Sequence, residues 1–119
     1  MAKSNRARGN DAETLACNYL EKHGWQILAR NVYVGKAEID IIAQNLFCIA
    51  FIEVKMRSGT KFGHPIEFVN EAKIERLFTA AEYWAQKNNI QLPLRFDVIG
   101  ILKHPATTPE IAHFEDAYR

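Results

Sequence analysis

The spacing of apolar residues near the start of the chain predicts an α-helix. Five of them recur at intervals of three and four residues, which places their side chains on one helical face. They are Ala12, Leu15, Ala16, Tyr19 and Leu20. Asn10 is the expected N-cap, Glu13 stands at the third helical position of a capping-box variant, and Gly24 follows the helix. Residues 1–9 lack this periodicity, so we expect a flexible basic arm ahead of one domain over 10–119.

The rest of the chain changes between strand-like and helix-like patterns. Segments rich in β-branched and aromatic residues predict strands, whereas the segment 66–89 has apolar residues at helical spacing. The predicted strands cover residues 25–34, 38–43, 47–55 and 95–102, with a short last strand over 111–114. The order α-β-β-β-α-β favours an antiparallel meander, followed by a helical crossover to a parallel strand. We therefore expect an α/β fold with a mixed central sheet flanked by helices.

The composition fits one folded domain and excludes several classes of protein. The chain has 119 residues, 48% of them hydrophobic, and a formal net charge of +1. It is therefore neither a disordered segment nor a strongly basic DNA-coating protein. No apolar run reaches the length of a membrane helix, and none follows the basic N-terminal residues, so we expect a cytoplasmic protein without a membrane partner. Cys17 and Cys48 lack the spacing of a zinc site and are expected to be reduced core residues.

Charged residues on two neighbouring strands carry the candidate chemistry. Because side chains alternate along a strand, Glu53 and Lys55 are expected on the same side of the sheet. Glu38 and Asp40 share a side in the same way, and the isoleucines that alternate with them are expected on the other side. The question is whether the two charged sets meet.

The register of the hairpin between these strands decides the answer. A two-residue turn would pair Gln44 with Phe47 and make Asp40 and Glu53 diagonal neighbours. A four-residue loop, 45–48, would pair Asp40 with Glu53 directly. Both registers place the acids on one face, whereas a slip by one residue would separate them.

Acidic side chains this close together favour a bound cation. Like charges that face each other destabilise a sheet; Lys55 offsets part of this, and hard oxygen ligands suit Mg²⁺ or Mn²⁺. A divalent ion lowers the pKa of bound water, and a neighbouring lysine orients that water or stabilises charge on phosphorus. This combination predicts hydrolysis of phosphodiesters. The alternative is that Glu53 and Lys55 are solvated surface charges that pair with each other.

Several short motifs lie between residues 38 and 98. They are EIDIIA at 38–43, FIEVK at 51–55, FG at 62–63, Lys73, and RFDV at 95–98. The set resembles the YraN-type family of small bacterial proteins, and the resemblance runs from about residue 9 to residue 118, nearly the whole chain. That family is assigned to the PD-(D/E)xK nuclease superfamily and is similar to archaeal Holliday-junction resolvases. The resemblance implies a restriction-endonuclease-like αβββαβ core, which agrees with the element order predicted above.

The resemblance also implies roles for individual residues. Asp40 corresponds to the aspartate of the superfamily motif, and Glu53 with Lys55 to its (D/E)xK portion. Asp40 and Glu53 would then bind the metal, while Lys55 would act on the water or the developing charge. Glu13 is implied as a further catalytic and metal-binding acid, and this role stands beside its capping role.

Three features depart from the family pattern, and none of them removes a proposed ligand. Ile39 precedes Asp40 where the superfamily name implies a proline, although isoleucine is usual in this subgroup. Ala37 stands where a glycine is typical, and the turn at 44–46 lacks the usual acidic and glycine residues. Glu38 is either an acid outside the ligand set or a surface charge.

Four basic residues are candidates for contact with nucleic acid: Arg8, Arg57, Lys61 and Lys73. Arg8 belongs to the basic arm. Arg57 and Lys61 flank or occupy the glycine-containing loop 58–64, which either tracks a DNA backbone or is a plain connection. Lys73 is either a phosphate contact or a solvated helix residue.

The leading hypothesis is a Mg²⁺- or Mn²⁺-dependent endonuclease that acts on DNA, with branched or damaged DNA as candidate substrates. A junction-cutting enzyme would need two active sites, so a homodimer is expected for that substrate. A second hypothesis is a non-catalytic nucleic-acid-binding module that keeps the fold, with salt-sensitive binding indifferent to divalent metal. A third is a protein-interaction module, which would bind neither metal nor DNA.

Overall fold

The protein forms one five-stranded sheet with two helices. The computed structural model describes residues 2–58 and 71–118, and the side chains of the first helix from residue 11 onward. The elements are α1 (Ala2–Lys22), β1 (Gln26–Val34), β2 (Ala37–Gln44), β3 (Ile49–Ser58), α2 (Glu71–Lys87), β4 (Leu94–Lys103) and β5 (Glu110–Phe114). The strand order is β1-β2-β3-β4-β5.

Strand directions make the sheet mixed. Strands β1, β2 and β3 are antiparallel neighbours, β3 and β4 pair in parallel, and β5 pairs antiparallel with β4. Helix α2 lies between β3 and β4 in the chain and provides the crossover that parallel strands need. The predicted α/β class and the αβββαβ order are confirmed.

Each face of the sheet carries its own apolar core. On one face Leu20 of α1 packs with Ile41 and Ile52, and on the other face Leu77 of α2 packs with Phe51. Burying each such side chain contributes about 1.5–3 kcal/mol relative to leaving it in water. Strand β3 is central, so both of its faces are covered. This explains why its first half is an unbroken apolar run.

The hairpin between β2 and β3 has the longer of the two predicted connections. Gln44 pairs with Ile49, which leaves a four-residue loop between the strands. The Asn45 side-chain oxygen accepts hydrogen bonds from the backbone N–H groups of Phe47 and Cys48, at 2.8 and 2.9 Å. These bonds satisfy the loop backbone within the turn. The predicted start of β3 at residue 47 is therefore wrong, and the four-residue register is the one adopted.

The start of the first helix also differs from the prediction. Helix α1 begins at Ala2, so residues 2–9 belong to it and do not form a separate non-helical arm. Asn10 and Glu13 lie within the helix, and the predicted capping box is wrong. Glu13 therefore does not serve as a capping residue.

The ends of both helices are marked by left-handed backbone. Gly24 has φ 88° just after α1, and Asn89 has φ 53° just after α2. The predicted start of the second helix, over residues 66–70, lies outside the described residues. Neither helix in the described part of the chain is long and apolar enough to cross a membrane.

Candidate metal centre

A cleft opens where β2 and β3 separate. The pairing of these strands ends with Ile41 and Ile52. At the next step Asp40 Oδ2 accepts a hydrogen bond of 2.9 Å from the backbone N–H of Val54. The carboxylate takes the place of a backbone acceptor, because a buried N–H group needs a partner. Asp40 is thereby fixed at the edge of the cleft.

The regular alternation of side chains is interrupted at the same position. Ile39 packs in the core that contains α2, whereas Ile41 packs in the core that contains α1. Asn31 of β1, which lies opposite Asp40, has φ 53°. The prediction that the isoleucines of β2 share one face is therefore wrong here. The irregular backbone lets the acids of β2 approach α1 while Glu53 faces α2.

Three carboxylates converge in the cleft. The ligand oxygens of Glu13 from α1 and of Glu38 and Asp40 from β2 all lie within 4.8 Å of one another. Glu13 is only 8% exposed, Asp40 is half-buried and Glu38 is exposed. Glu13 Oε1 is buried and has no hydrogen-bond partner; its nearest cation is Arg30 Nη2, at 3.6 Å. A buried carboxylate oxygen without a hydrogen bond is unfavourable, and a bound water or a cation would compensate it.

The three acids fit a small divalent cation. Oxygens bound at about 2.1 Å around an octahedral ion lie about 3 Å apart when adjacent, so the observed spacing closes by small side-chain rotations. Carboxylate oxygens are the ligands that Mg²⁺ and Mn²⁺ prefer. Glu13 Oε1, which has no hydrogen bond and lies 3.6 Å from Arg30, would gain a closer cation.

The acid cluster changes the protonation of Asp40. Burial, together with the negative charges of Glu13, Glu38 and Glu53, raises the pKa of Asp40 to about 7, although the Val54 hydrogen bond acts in the opposite direction. In the metal-free protein the carboxyl therefore holds its proton near neutral pH. A cation would favour the ionised form, so its binding would release a proton.

Glu53 lies in a different environment from the other acids. Its Oε1 is 2.6 Å from Lys73 Nζ of α2 and 3.5 Å from Lys55 Nζ. The hydroxyl of Tyr118 donates a hydrogen bond of 3.0 Å to its Oε2. Among the described residues, the acid cluster is formed by Glu13, Glu38 and Asp40 and does not include Glu53. Lys55, Lys73 and the hydroxyl of Tyr118 thus hold Glu53 on the side of the cleft that faces α2.

Tyr118 is a member of this site that the sequence analysis did not identify. Burial raises the pKa of its hydroxyl, and the adjacent Glu53 carboxylate raises it further, so the tyrosine stays neutral and donates. It lies 65 residues from Glu53 in the chain. No spacing rule relates two positions that far apart, and only the fold brings them together.

A buried aspartate fixes the segment that carries Tyr118. Asp97, fully buried, forms two hydrogen bonds of 2.9 Å with Arg95 and one of 2.7 Å with His113 Nε2. It also accepts the backbone N–H of Asp116 at 3.0 Å. Burial alone would raise the pKa of Asp97, but the hydrogen bonds from His113 and Arg95 hold it below its usual value. These contacts give Arg95 and Asp97 a structural role.

All four acids share one cavity. Its volume is about 550 Å³, and Glu13, Glu38, Asp40 and Glu53 line it together with Lys55. The remaining lining includes Lys36, Lys73 and Arg76. The structure therefore brings together the residues predicted for catalysis and metal binding, and it adds Glu38 to them. A cavity lined by both acidic and basic side chains suits an anionic substrate held beside a cation.

The structure describes only some of the residues that were predicted to contact nucleic acid. Arg57 is exposed near the end of β3, and Lys73 forms the ion pair with Glu53 described above. The side chain of Arg8, and Lys61 as a whole, lie outside the described residues. Lys73 is thus part of the cavity, whereas the structure does not test the other three contacts.

A family model matches residues 12–101, which include the acid cluster, Glu53 and Lys55. Its description is "Uncharacterised protein family UPF0102". The chain belongs to the UPF0102 family. A UPF0102 protein of Flavobacterium psychrophilum is 42% identical over 110 residues, 92% of each chain. One from Christiangramia forsetii is 37% identical over 118 residues, 99% of this chain and 98% of its own.

A third UPF0102 protein is also similar to this chain. A UPF0102 protein of Clostridioides difficile is 42% identical over 99 residues, which cover 82% of this chain and 87% of its own. The YraN-type resemblance is therefore confirmed as family membership. The UPF0102 chain matches these relatives over most of their length, so the cleft lies within the shared region.

Proposed function

We propose that the protein is a Mg²⁺- or Mn²⁺-dependent endonuclease that hydrolyses phosphodiester bonds of DNA. The observation that carries this proposal is the convergence of Glu13, Glu38 and Asp40 in a cavity that also contains Glu53 and Lys55. Glu13 Oε1 is buried there without a hydrogen bond, and the guanidinium of Arg30 approaches it only to 3.6 Å. A cation held by the three acids would compensate this buried oxygen.

Glu13, Glu38 and Asp40 would hold the cation. Glu53 remains in the proposed ligand set, because a carboxylate offers about four lone-pair sites and Lys55, Lys73 and Tyr118 occupy three. When bound, the ion supplies Lewis acidity for the phosphoryl oxygen and lowers the pKa of water. The carboxylates orient that water through hydrogen bonds.

Lys55 and Lys73 supply positive charge beside Glu53. Lys55 Nζ lies 3.5 Å from Glu53 Oε1 and borders the same cavity. There it can donate to a phosphate oxygen and stabilise the charge that develops at phosphorus. Lys73, at 2.6 Å from the same oxygen, holds the carboxylate in place. No side-chain nucleophile is needed, because water is the attacking group.

Cleavage of supercoiled plasmid and of a synthetic four-way junction tests the proposal. Wild-type protein would be compared in Mn²⁺, Mg²⁺ and EDTA with Glu53→Ala and Lys55→Ala. Matched controls are Glu21→Ala and Lys22→Ala, which change exposed residues at the C-terminal end of α1. We expect metal-dependent cutting in the wild type and both controls, and none in the two site variants.

Two results would contradict this expectation. Cutting by Glu53→Ala at the wild-type rate would show that the site is misassigned. Salt-sensitive DNA binding without cleavage in any metal would favour a non-catalytic binding module that keeps the fold. Cutting of the junction alone would identify branched DNA as the substrate and would call for a homodimer with paired sites.

A further inference from the structure

Two basic side chains border the cavity that contains Glu13, Glu38 and Asp40. Lys36 comes from the turn between β1 and β2, and Arg76 comes from the middle of α2. Both line the cavity that contains the acid cluster. Both also line a second, adjacent cavity of about 530 Å³ between that turn and α2. They therefore lie at the boundary between the two cavities.

The turn holds Lys36 in a defined position. Val34 pairs with Ala37, so Gly35 and Lys36 form a two-residue connection. Gly35 has φ 58°, a conformation that glycine adopts without a steric cost. The backbone at Lys36 is therefore fixed by the sheet on both sides.

No described residue neutralises the charge of Lys36 or Arg76. The other cations close to the acids are paired: Arg30 with Glu13, and Lys55 and Lys73 with Glu53. Within residues 2–58 and 71–118, the structure records no ion pair or side-chain hydrogen bond for Lys36 or Arg76. Both side chains are exposed. Their charges are available to an anion from outside.

The lining of the second cavity indicates what kind of anion this is. Most of the lining residues are small, and none of those described is aromatic: Val34, Gly35, Ala37, Ala72, Glu75, Thr79 and Ala80. Bases need aromatic side chains to stack on, whereas a sugar-phosphate backbone needs only space and positive charge. This cavity therefore suits the backbone of a strand.

We propose that Lys36 and Arg76 bind a phosphate adjacent to the one held at the acid cluster. A nucleic-acid strand would run from the metal centre, between the β1–β2 turn and α2, into the second cavity. The protein would contact this part of the strand through phosphates and not through bases, so binding would be indifferent to sequence. The inference rests on the proposed function for the first phosphate, but its test does not depend on cleavage.

Binding in EDTA separates strand recognition from catalysis. Fluorescence anisotropy would measure the affinity of a fluorescein-labelled single-stranded oligonucleotide for the wild type and for Lys36→Gln/Arg76→Gln, over a range of salt concentrations. Lys22→Gln/Lys103→Gln removes the same charge from exposed residues outside both cavities. Losing the contact with one phosphate on a single strand should lower the slope of log affinity against log salt by about 0.7.

We expect this lower slope in Lys36→Gln/Arg76→Gln and an unchanged slope in the control, with the same loss for oligonucleotides of unrelated sequence. Lys36→Arg/Arg76→Lys should restore the slope, which excludes misfolding as the cause. Equal slopes in all variants would overturn the inference even if the enzyme cuts DNA. The inference would also be overturned if a free mononucleotide competed as strongly as the unlabelled oligonucleotide, because a single phosphate would then be enough for binding. A lower slope in a protein that never cuts would support the path and contradict the nuclease.

Discussion

Replacing Asp40 by asparagine should stabilise the metal-free protein at neutral and alkaline pH. Burial, together with the charges of Glu13, Glu38 and Glu53, raises the pKa of Asp40 from 3.8 to about 7. The folded protein then binds this proton more tightly than the unfolded chain does. Its contribution to stability is present at acid pH and is lost as the pH rises toward and through 7.

The magnitude follows from the size of the shift. Each pKa unit corresponds to about 1.4 kcal/mol, so a rise from 3.8 to about 7 costs the folded protein about 4 kcal/mol once Asp40 is ionised. This value is an upper limit, because Glu38 is exposed and can turn toward solvent. The amide oxygen introduced by Asp40→Asn can still accept the Val54 hydrogen bond. The change therefore removes the charge and keeps the contact.

Urea unfolding in EDTA between about pH 5 and pH 8 measures the effect. The free energy of unfolding of Asp40→Asn, relative to the wild type, should increase with pH by several kcal/mol. The matched control is Asp11→Asn, an exposed aspartate of the same helix as Glu13, which should follow the wild type. Adding Mn²⁺ should stabilise the wild type and not Asp40→Asn. A relative stability of Asp40→Asn that does not change with pH would refute the reasoning.

Two further predictions concern the residues that support the cleft. Tyr118→Phe removes the hydroxyl that donates to Glu53 at 3.0 Å; it should lower the free energy of unfolding by about 1–2 kcal/mol and reduce the cleavage rate without changing DNA affinity. An unchanged rate would show that the hydroxyl does not position Glu53. Asp97→Asn should cost about 3 kcal/mol at neutral pH in urea unfolding, because it leaves the buried side of Arg95 without its counter-charge. Since the pKa of Asp97 is lowered, its contribution is present above its ordinary value and is lost as the pH falls through the lower folded value. If the loss of stability in Asp97→Asn did not become smaller at acid pH, the stabilising role of the Asp97 charge would be contradicted.

Sequence reasoning predicted the sheet well because its signals are local. Apolar runs and β-branched residues define β2, β3 and β4 to within a few residues, and the helix between β3 and β4 allows the parallel pair that forms. The hairpin register stayed open because both loop lengths are compatible with the pattern. The side chain of Asn45, which accepts two backbone N–H groups, accompanies the longer loop.

The candidate site was predicted only in part, because it depends on an irregularity and on distant contacts. Alternation predicts which residues share a face only while the strand is regular, and the pattern is interrupted at Asp40. Glu13 resembled a capping residue, yet it lies within a helix that begins at Ala2, and its oxygen faces the acids of β2. Tyr118 reaches Glu53 through the fold of β4 and β5, which no local pattern encodes.

The central claim is that Glu13, Glu38 and Asp40 form a divalent-metal site. Titration of the protein with Mn²⁺ at about pH 6.5, where Asp40 with its pKa of about 7 is still mostly protonated, followed by calorimetry in two buffers of different ionisation enthalpy, tests it most directly. The account predicts binding with proton release in the wild type and in Asp11→Asn, and loss of binding in Asp40→Asn and Glu13→Gln. Mn²⁺ affinity in Asp40→Asn equal to that of the wild type would contradict it.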